Sequence, residues 1–187
     1  MKNFLIVSFF AAFISNVAVQ ANAVVVNIFQ DGDDVVANYS GSLNTAGLQF
    51  LNSHSSTNSS LDPSFSFITN LQGPWDRYRA DITLSFGTGS TVSPTSSQGD
   101  TFGFVSGFDE IYLPSGYSGG QLSGSLTFES EDLDSLGIDL GNYSINLPND
   151  LIEINVLAPI PLPASFWLLG AACLGLGFRA HRTKRNV

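Results

Sequence analysis

The sequence predicts an all-β domain, an antiparallel β-sandwich or jelly roll, and three observations carry that expectation. Tyr78, Ala80, Ile82, Leu84 and Phe86 alternate with Arg79, Asp81, Thr83 and Ser85, the period of a strand with one buried and one wet face. Short runs of this kind recur along the chain, each bounded by turn-forming residues. Helical periodicity is nearly missing, and only 131–136 suits a single helical turn.

In chain order, strands are expected at 24–30, 34–43, 64–69, 78–86, 101–105, 110–113, 121–128, 142–147 and 151–157. The first two are separated by Asp31-Gly32-Asp33, which supplies the polar and left-handed conformations of a tight turn. Gly73-Pro74, Gly87-Thr88-Gly89, Pro114-Ser115-Gly116 and Gly119-Gly120 mark further turns. Residues 52–60 and 87–100 are rich in Ser, Thr and Gly, and long surface loops are expected there. Phe65, Phe67, Phe86, Phe102, Phe104, Phe108 and Phe128 fall in the strand-like runs and furnish the aromatic part of the core.

Residues 24–158 make one domain of 135 residues, long enough for a single sizeable core. Arg77 and Arg79 are its only cations against all sixteen acidic residues, a net charge of −14. Such a domain is repelled by nucleic acid and by anionic membranes. It contains no cysteine, because Cys173 lies beyond it, so its stability must come from packing rather than disulfides.

Both ends read as targeting segments. Lys2, the apolar run 4–14 and Ala21-Asn22-Ala23 form the three parts of a secretory signal peptide over residues 1–23, with Ala21 and Ala23 at the peptidase site. The run 4–14 is well short of the roughly 20 residues that a membrane-spanning helix needs, which argues against an uncleaved anchor. The other end, 159–187, begins with Pro159-Ile160-Pro161-Leu162-Pro163-Ala164-Ser165 and continues as an apolar stretch over 166–178. It closes with Arg179, Arg182, Lys184 and Arg185, a basic cluster that stays on the cytoplasmic side of a transmembrane helix. The stretch 166–178 has only 13 residues and is marginal as a permanent anchor. The stiff Pro-x-Pro segment before it lacks amide donors and presents extended backbone to a membrane-embedded protease.

Motif, span and basic end, in that order, resemble the sorting signal of PEP-CTERM proteins in its Val-Pro-Leu-Pro-Ala variant, with Pro161, Leu162, Pro163, Ala164 and Ser165 as the motif. Two departures are visible: Leu162 replaces the family's eponymous glutamate, and Ile160 the usual valine of the variant. The resemblance covers about the last 30 residues and implies recognition by an exosortase, a membrane protease or transpeptidase of Gram-negative bacteria that often make exopolysaccharide and biofilm. The N-terminal leader implies signal peptidase as a partner, and the tail implies anchoring in the inner membrane before processing and final residence at the cell surface or in the matrix. The segments 112–117, 122–128 and 135–137 resemble a recurring PEP-CTERM ectodomain type that carries no assigned activity.

Catalytic chemistry finds little support. His54 is the one histidine inside the domain, and it sits in the polar segment Ser53-His54-Ser55-Ser56-Thr57, where a solvent-exposed role is expected. Asp109 and Glu110 are adjacent, so on a strand they point to opposite faces. The cluster Glu129, Glu131, Asp132 and Asp134 reads as an exposed acidic turn. Asp31-Gly32-Asp33-Asp34 offers three carboxylates, too local to complete the six to eight oxygens that calcium takes. No catalytic residue, cofactor or metal is therefore expected. The sequence supports a non-enzymatic exported protein with a structural or adhesive role. Its alternative is a lectin-like polysaccharide binder that uses exposed rings of Trp75, Tyr112 or Tyr117.

Overall fold

The computed structural model describes residues 23–159, all in β-strands, turns and irregular connections apart from one 3-10 turn at Ser106–Phe108. Ala23 opens the first strand. The rest of the expected signal peptide, including Ala21, and the sorting motif, apolar span and basic tail from 160 onward lie outside the described residues.

Strands β1 (Ala23–Asp31) and β2 (Asp34–Gly41) form a hairpin closed by Gly32 and Asp33, with Asp31 opposite Asp34. Gly32 at φ +65° supplies the left-handed residue that a two-residue loop requires. Eight strands follow: β3 (Gln49–Asp62), β4 (Phe67–Arg79), β5 (Ser96–Gly99), β6 (Phe102–Val105), β7 (Glu110–Pro114), β8 (Leu122–Phe128), β9 (Gly141–Leu147) and β10 (Asp150–Val156). They make a six-stranded sheet ordered β5-β8-β2-β1-β10-β9 and a four-stranded sheet ordered β3-β4-β6-β7, with β7 also pairing to β4. The sheets curl as a half-barrel around one core. Val26, Ile28, Leu126 and Ile154 of the larger sheet share that core with Ile68, Phe102, Phe104 and Ile111 of the smaller one.

The all-β class expected from the sequence is observed, but the larger sheet is mixed and not purely antiparallel. β1 pairs β10 in parallel, from Ala23 opposite Leu151 to Ile28 opposite Val156. Val24, Val26, Ile28, Ile152, Ile154 and Val156 are all buried. Period-two burial of this kind identifies a strand and its inner face but is indifferent to its direction.

Several boundaries differ from expectation. Residues 52–60, expected as a loop, lie within the long edge strand β3. An edge strand bonds on one side only, and here both faces stay largely wet, so no apolar alternation announces it. The expected loop at 87–100 contains β5 and is tied down by bridges from Leu61 to Val92 and from Gly87 to Ile138. The expected strand at 78–86 leaves the ladder after Arg79. Its alternation survives as buried Ala80, Ile82 and Phe86, whose amides bond to the Asp109 carbonyl, the Asp109 carboxylate and the Ser66 hydroxyl. The strand expected from 64 begins at Phe67, after a turn in which Ser66 takes φ +47°. Residues 133–137 make one hydrogen-bonded turn that buries Leu133 and Leu136. Phe65 and Phe108 are exposed rather than core residues.

Gly73-Pro74 stands inside β4 and not at a turn. β6 pairs β4 over Phe67 to Asn70 and β7 takes over from Trp75, so residues 71–74 face a gap between the two partners. A proline without an amide donor is tolerated where no ladder bond is lost.

A buried polar cluster fastens the two sheets. Asn70 on β4 is fully buried and donates from Nδ2 to the Tyr39 hydroxyl at 2.7 Å and to the Gln98 carbonyl at 2.9 Å. Its Oδ1 accepts from Gln72 Nε2 at 2.6 Å and from Ser59 Oγ at 3.0 Å, and Tyr39 donates to the Asp100 carbonyl. Burial pushes the Tyr39 phenol up to about 12, so it stays a donor at any ordinary pH. Asn70→Ala removes donors that the Tyr39 and Gln98 oxygens depend on and should cost about 1–3 kcal/mol. Urea denaturation measures this, and a loss under about 0.5 kcal/mol would show that the cluster does not fasten the sheets.

Candidate functional site

Alternate residues of β4 point away from the core. Ile68 and Asn70 face inward, while Phe67, Leu71, Trp75 and Arg77 fall on the outer face of the four-stranded sheet. Strand register brings His54 of β3 opposite Trp75, Asn52 opposite Arg77, and Tyr112 of β7 opposite Arg77 on the other side. Leu71, Val105 and Tyr112 form a small second apolar cluster there, with Phe67 and Trp75 packed against it.

On that base three rings stand side by side. His54 stacks on Trp75 at 4.8 Å between centroids and 28° between planes, and Trp75 meets Tyr112 edge to face at 4.9 Å and 63°. Trp75 Nε1 donates to Ser56 Oγ at 3.0 Å, which fixes the indole across the strand pair. Beside the rings, Arg77 Nε donates to Asn52 Oδ1 at 3.0 Å and its Nη1 lies 3.4 Å from Glu110 Oε2. Tyr112 donates its hydroxyl to the same Glu110 oxygen at 3.0 Å. Burial, reinforced by the Glu110 hydrogen bond and charge, raises the Tyr112 phenol far above its ordinary value, so it remains protonated. Of the three rings only His54 is exposed, with Trp75 half-buried beneath it and Tyr112 buried, and amide, guanidinium and carboxylate groups lie beside them.

The sequence-expected residues distribute unevenly over this surface. Trp75 lies in a strand and not at a turn, half-buried with its ring held on both sides, and Tyr112 is buried rather than exposed. Tyr117 is half-buried elsewhere, where its hydroxyl accepts from the Leu43 amide at 2.8 Å and donates to the Gly120 carbonyl at 2.6 Å. His54 is exposed as expected, although on a strand. Arg77, Asn52 and Glu110 were not singled out as a group. Their signal was parity, since Arg77 stands two residues from Trp75 and is one of the domain's two cations.

The acidic residues have a different task. Seven aspartates accept a backbone amide, linking Asp34 to Ser130, Asp62 to Phe65, Asp76 to Gly116, Asp100 to Ser123, Asp109 to Ile82, Asp132 to Ser135 and Asp150 to Asn44. Asp132 and Glu131 are bound to Ser135 within one turn, and Asp33 sits in the first hairpin loop. Among the described residues no three of His, Cys, Asp and Glu are placed to hold a metal ion, and no helix is long and apolar enough to cross a membrane. No family model, curated protein or solved structure matches the chain.

Asp76 is the most heavily used of these carboxylates. It is buried on β4 and accepts from Ser53 Oγ at 2.7 Å, Ser115 Oγ at 2.9 Å and the Gly116 amide at 2.9 Å, joining β3, β4 and the turn after β7. Burial alone would raise its pKa, yet the three donors outweigh that and hold it below the usual aspartate range. Its contribution is therefore complete above the unfolded-state value of about 3.9 and is lost as pH falls through the lower folded value. Asp76→Asn should lower stability by about 1–3 kcal/mol at pH 7. Thermal melts of the two proteins should converge as the pH drops below about 3.9, whereas a constant gap would exclude ionisation as the source.

Proposed function

We propose that the chain is an exported surface or extracellular-matrix protein with a structural or adhesive role and no catalytic activity. A cleaved leader at 1–23 delivers it, and a C-terminal sorting signal of exosortase type at 159–187 first holds it in the inner membrane. The observation that carries this reading is the single, ordered occurrence of Pro161-Leu162-Pro163-Ala164-Ser165, a short apolar span and four cations at the C-terminal end. The domain between the two segments we take as a jelly-roll-like sandwich. Its cysteine-free, strongly acidic composition suits a soluble module on the outside of a cell. Fractionation of the native host followed by mass analysis tests this. The expected outcome is surface or matrix protein that begins at Val24 and lacks the basic tail, and an intact tail on mature surface protein would contradict processing.

A second reading, polysaccharide binding, is favoured by the His54, Trp75 and Tyr112 rings on one sheet face with Arg77 and Glu110 beside them. Trp75→Ala should weaken binding to the host's exopolysaccharide roughly tenfold, about 1.4 kcal/mol, with the far-ultraviolet circular dichroism unchanged. Unaltered binding would remove this reading.

A further inference from the structure

We infer that β3 is a homotypic docking edge, through which two copies of this chain join their four-stranded sheets into one continuous sheet about a two-fold axis at Ser56. The strand is an outer member of its sheet, paired on one side with β4 alone. On its free side the Leu61 amide and carbonyl both bond to Val92, which fixes the odd-numbered residues as those whose polar backbone groups point outward. Leu61 is thus covered, and a register shift between Phe50 and Asn52 breaks the ladder at the other end. Between these limits Ser53, Ser55, Thr57 and Ser59 present four donors and four acceptors with no backbone partner among the described residues.

The devices that normally blunt such an edge are missing from this stretch. Residues 53–60 read Ser-His-Ser-Ser-Thr-Asn-Ser-Ser, without proline, lysine or any acidic residue. In a domain of net charge −14, this neutral strip is a place where two copies can approach without setting carboxylates against each other. The segment is also self-complementary. Antiparallel pairing centred on Ser56 sets Ser53 opposite Ser59 and Ser55 opposite Thr57, so all the outward groups of both copies are satisfied at once. His54 then faces Asn58 of the second copy, and the two His54 and Trp75 stacks lie on one uninterrupted sheet face. A second copy is favoured over an unrelated strand because this register uses the whole open length and leaves no outward group unpaired.

The inference gives the proposed structural role a means of assembly and rests on that role for its biological meaning, not for its geometry. Cysteine crosslinking on the full chain, in a Cys173→Ser background, tests the geometry. Ser56 and its copy form a non-hydrogen-bonded pair about 4.5 Å apart between Cα atoms, within disulfide reach. Position 54 lies about 13 Å from its own copy along the strands. Oxidation should convert Ser56→Cys to a disulfide dimer and leave His54→Cys monomeric. Equal crosslinking at both positions, or at neither, would overturn the register. The double variant Ser55→Lys with Thr57→Lys, carried on Ser56→Cys, should lose the dimer, because the new charges face one another. Mixing it with Ser55→Glu plus Thr57→Glu on the same background should restore a mixed dimer, and failure of that rescue would also overturn the inference. Dimer yield for Ser56→Cys should rise with salt as repulsion between the acidic bodies is screened. Surface location measured by fractionation is independent of crosslinking, so loss of one leaves the other standing.

Discussion

The parallel pairing of β1 with β10 is the constraint on which the rest of the molecule depends. It sets the first and last strands of the domain side by side in the interior of the six-stranded sheet. β2, β8 and β5 extend from one side of that pair and β9 from the other. The inward residues of the pair, Val24, Val26, Ile28, Ile152, Ile154 and Val156, lie at the centre of the shared core. Parallel neighbours need a connection that crosses the fold, and here the connection is almost the whole domain, including the four-stranded sheet. The strands of the smaller sheet all belong to that connection, and the curl brings Asn70 against Tyr39 and Gln98. On the other side of β1, Gly41 at the end of β2 packs so closely that a Cβ there would lie 1.9 Å from the Ala23 carbonyl oxygen.

Without disulfides, the connections need another fastening, and aspartate supplies it. Several of the bonds from carboxylates to backbone amides join residues far apart in sequence, such as Asp150 with Asn44 and Asp34 with Ser130. Each satisfies a backbone amide with a charge-assisted bond, which is stronger than a neutral one. The acidity of the domain is therefore in large part a structural property. It brings self-repulsion between copies and sensitivity to low pH, because Asp62 and Asp76 keep their clamps only while ionised.

Much of the fold was legible in the sequence. Where one face of a strand is buried, large apolar side chains recur every second residue, and β1, β2, β6, β7, β8, β9 and β10 emerge within a few residues of their bounds. β3 was hidden because its central residues are Ser, Thr and Asn with no buried face, a composition shared with loops. β4 was displaced because Gly73-Pro74 suggests a turn, and only the handover from β6 to β7 explains why a proline fits there. Strand direction left no trace in the pattern. The candidate surface was half legible. Trp75, Tyr112 and His54 could be named from residue type, but their meeting on one face depends on pairings between strands that local sequence does not encode.

Native-state hydrogen exchange of the domain tests the closure most directly. If the β1–β10 pairing holds the fold together, the buried amides of β1 and β10 exchange only with global unfolding, at a common free energy and more slowly than those of the edge strands. Exchange of β10 at a markedly lower free energy than β1 would show that the last strand opens independently, and would contradict its place as the element that closes the domain.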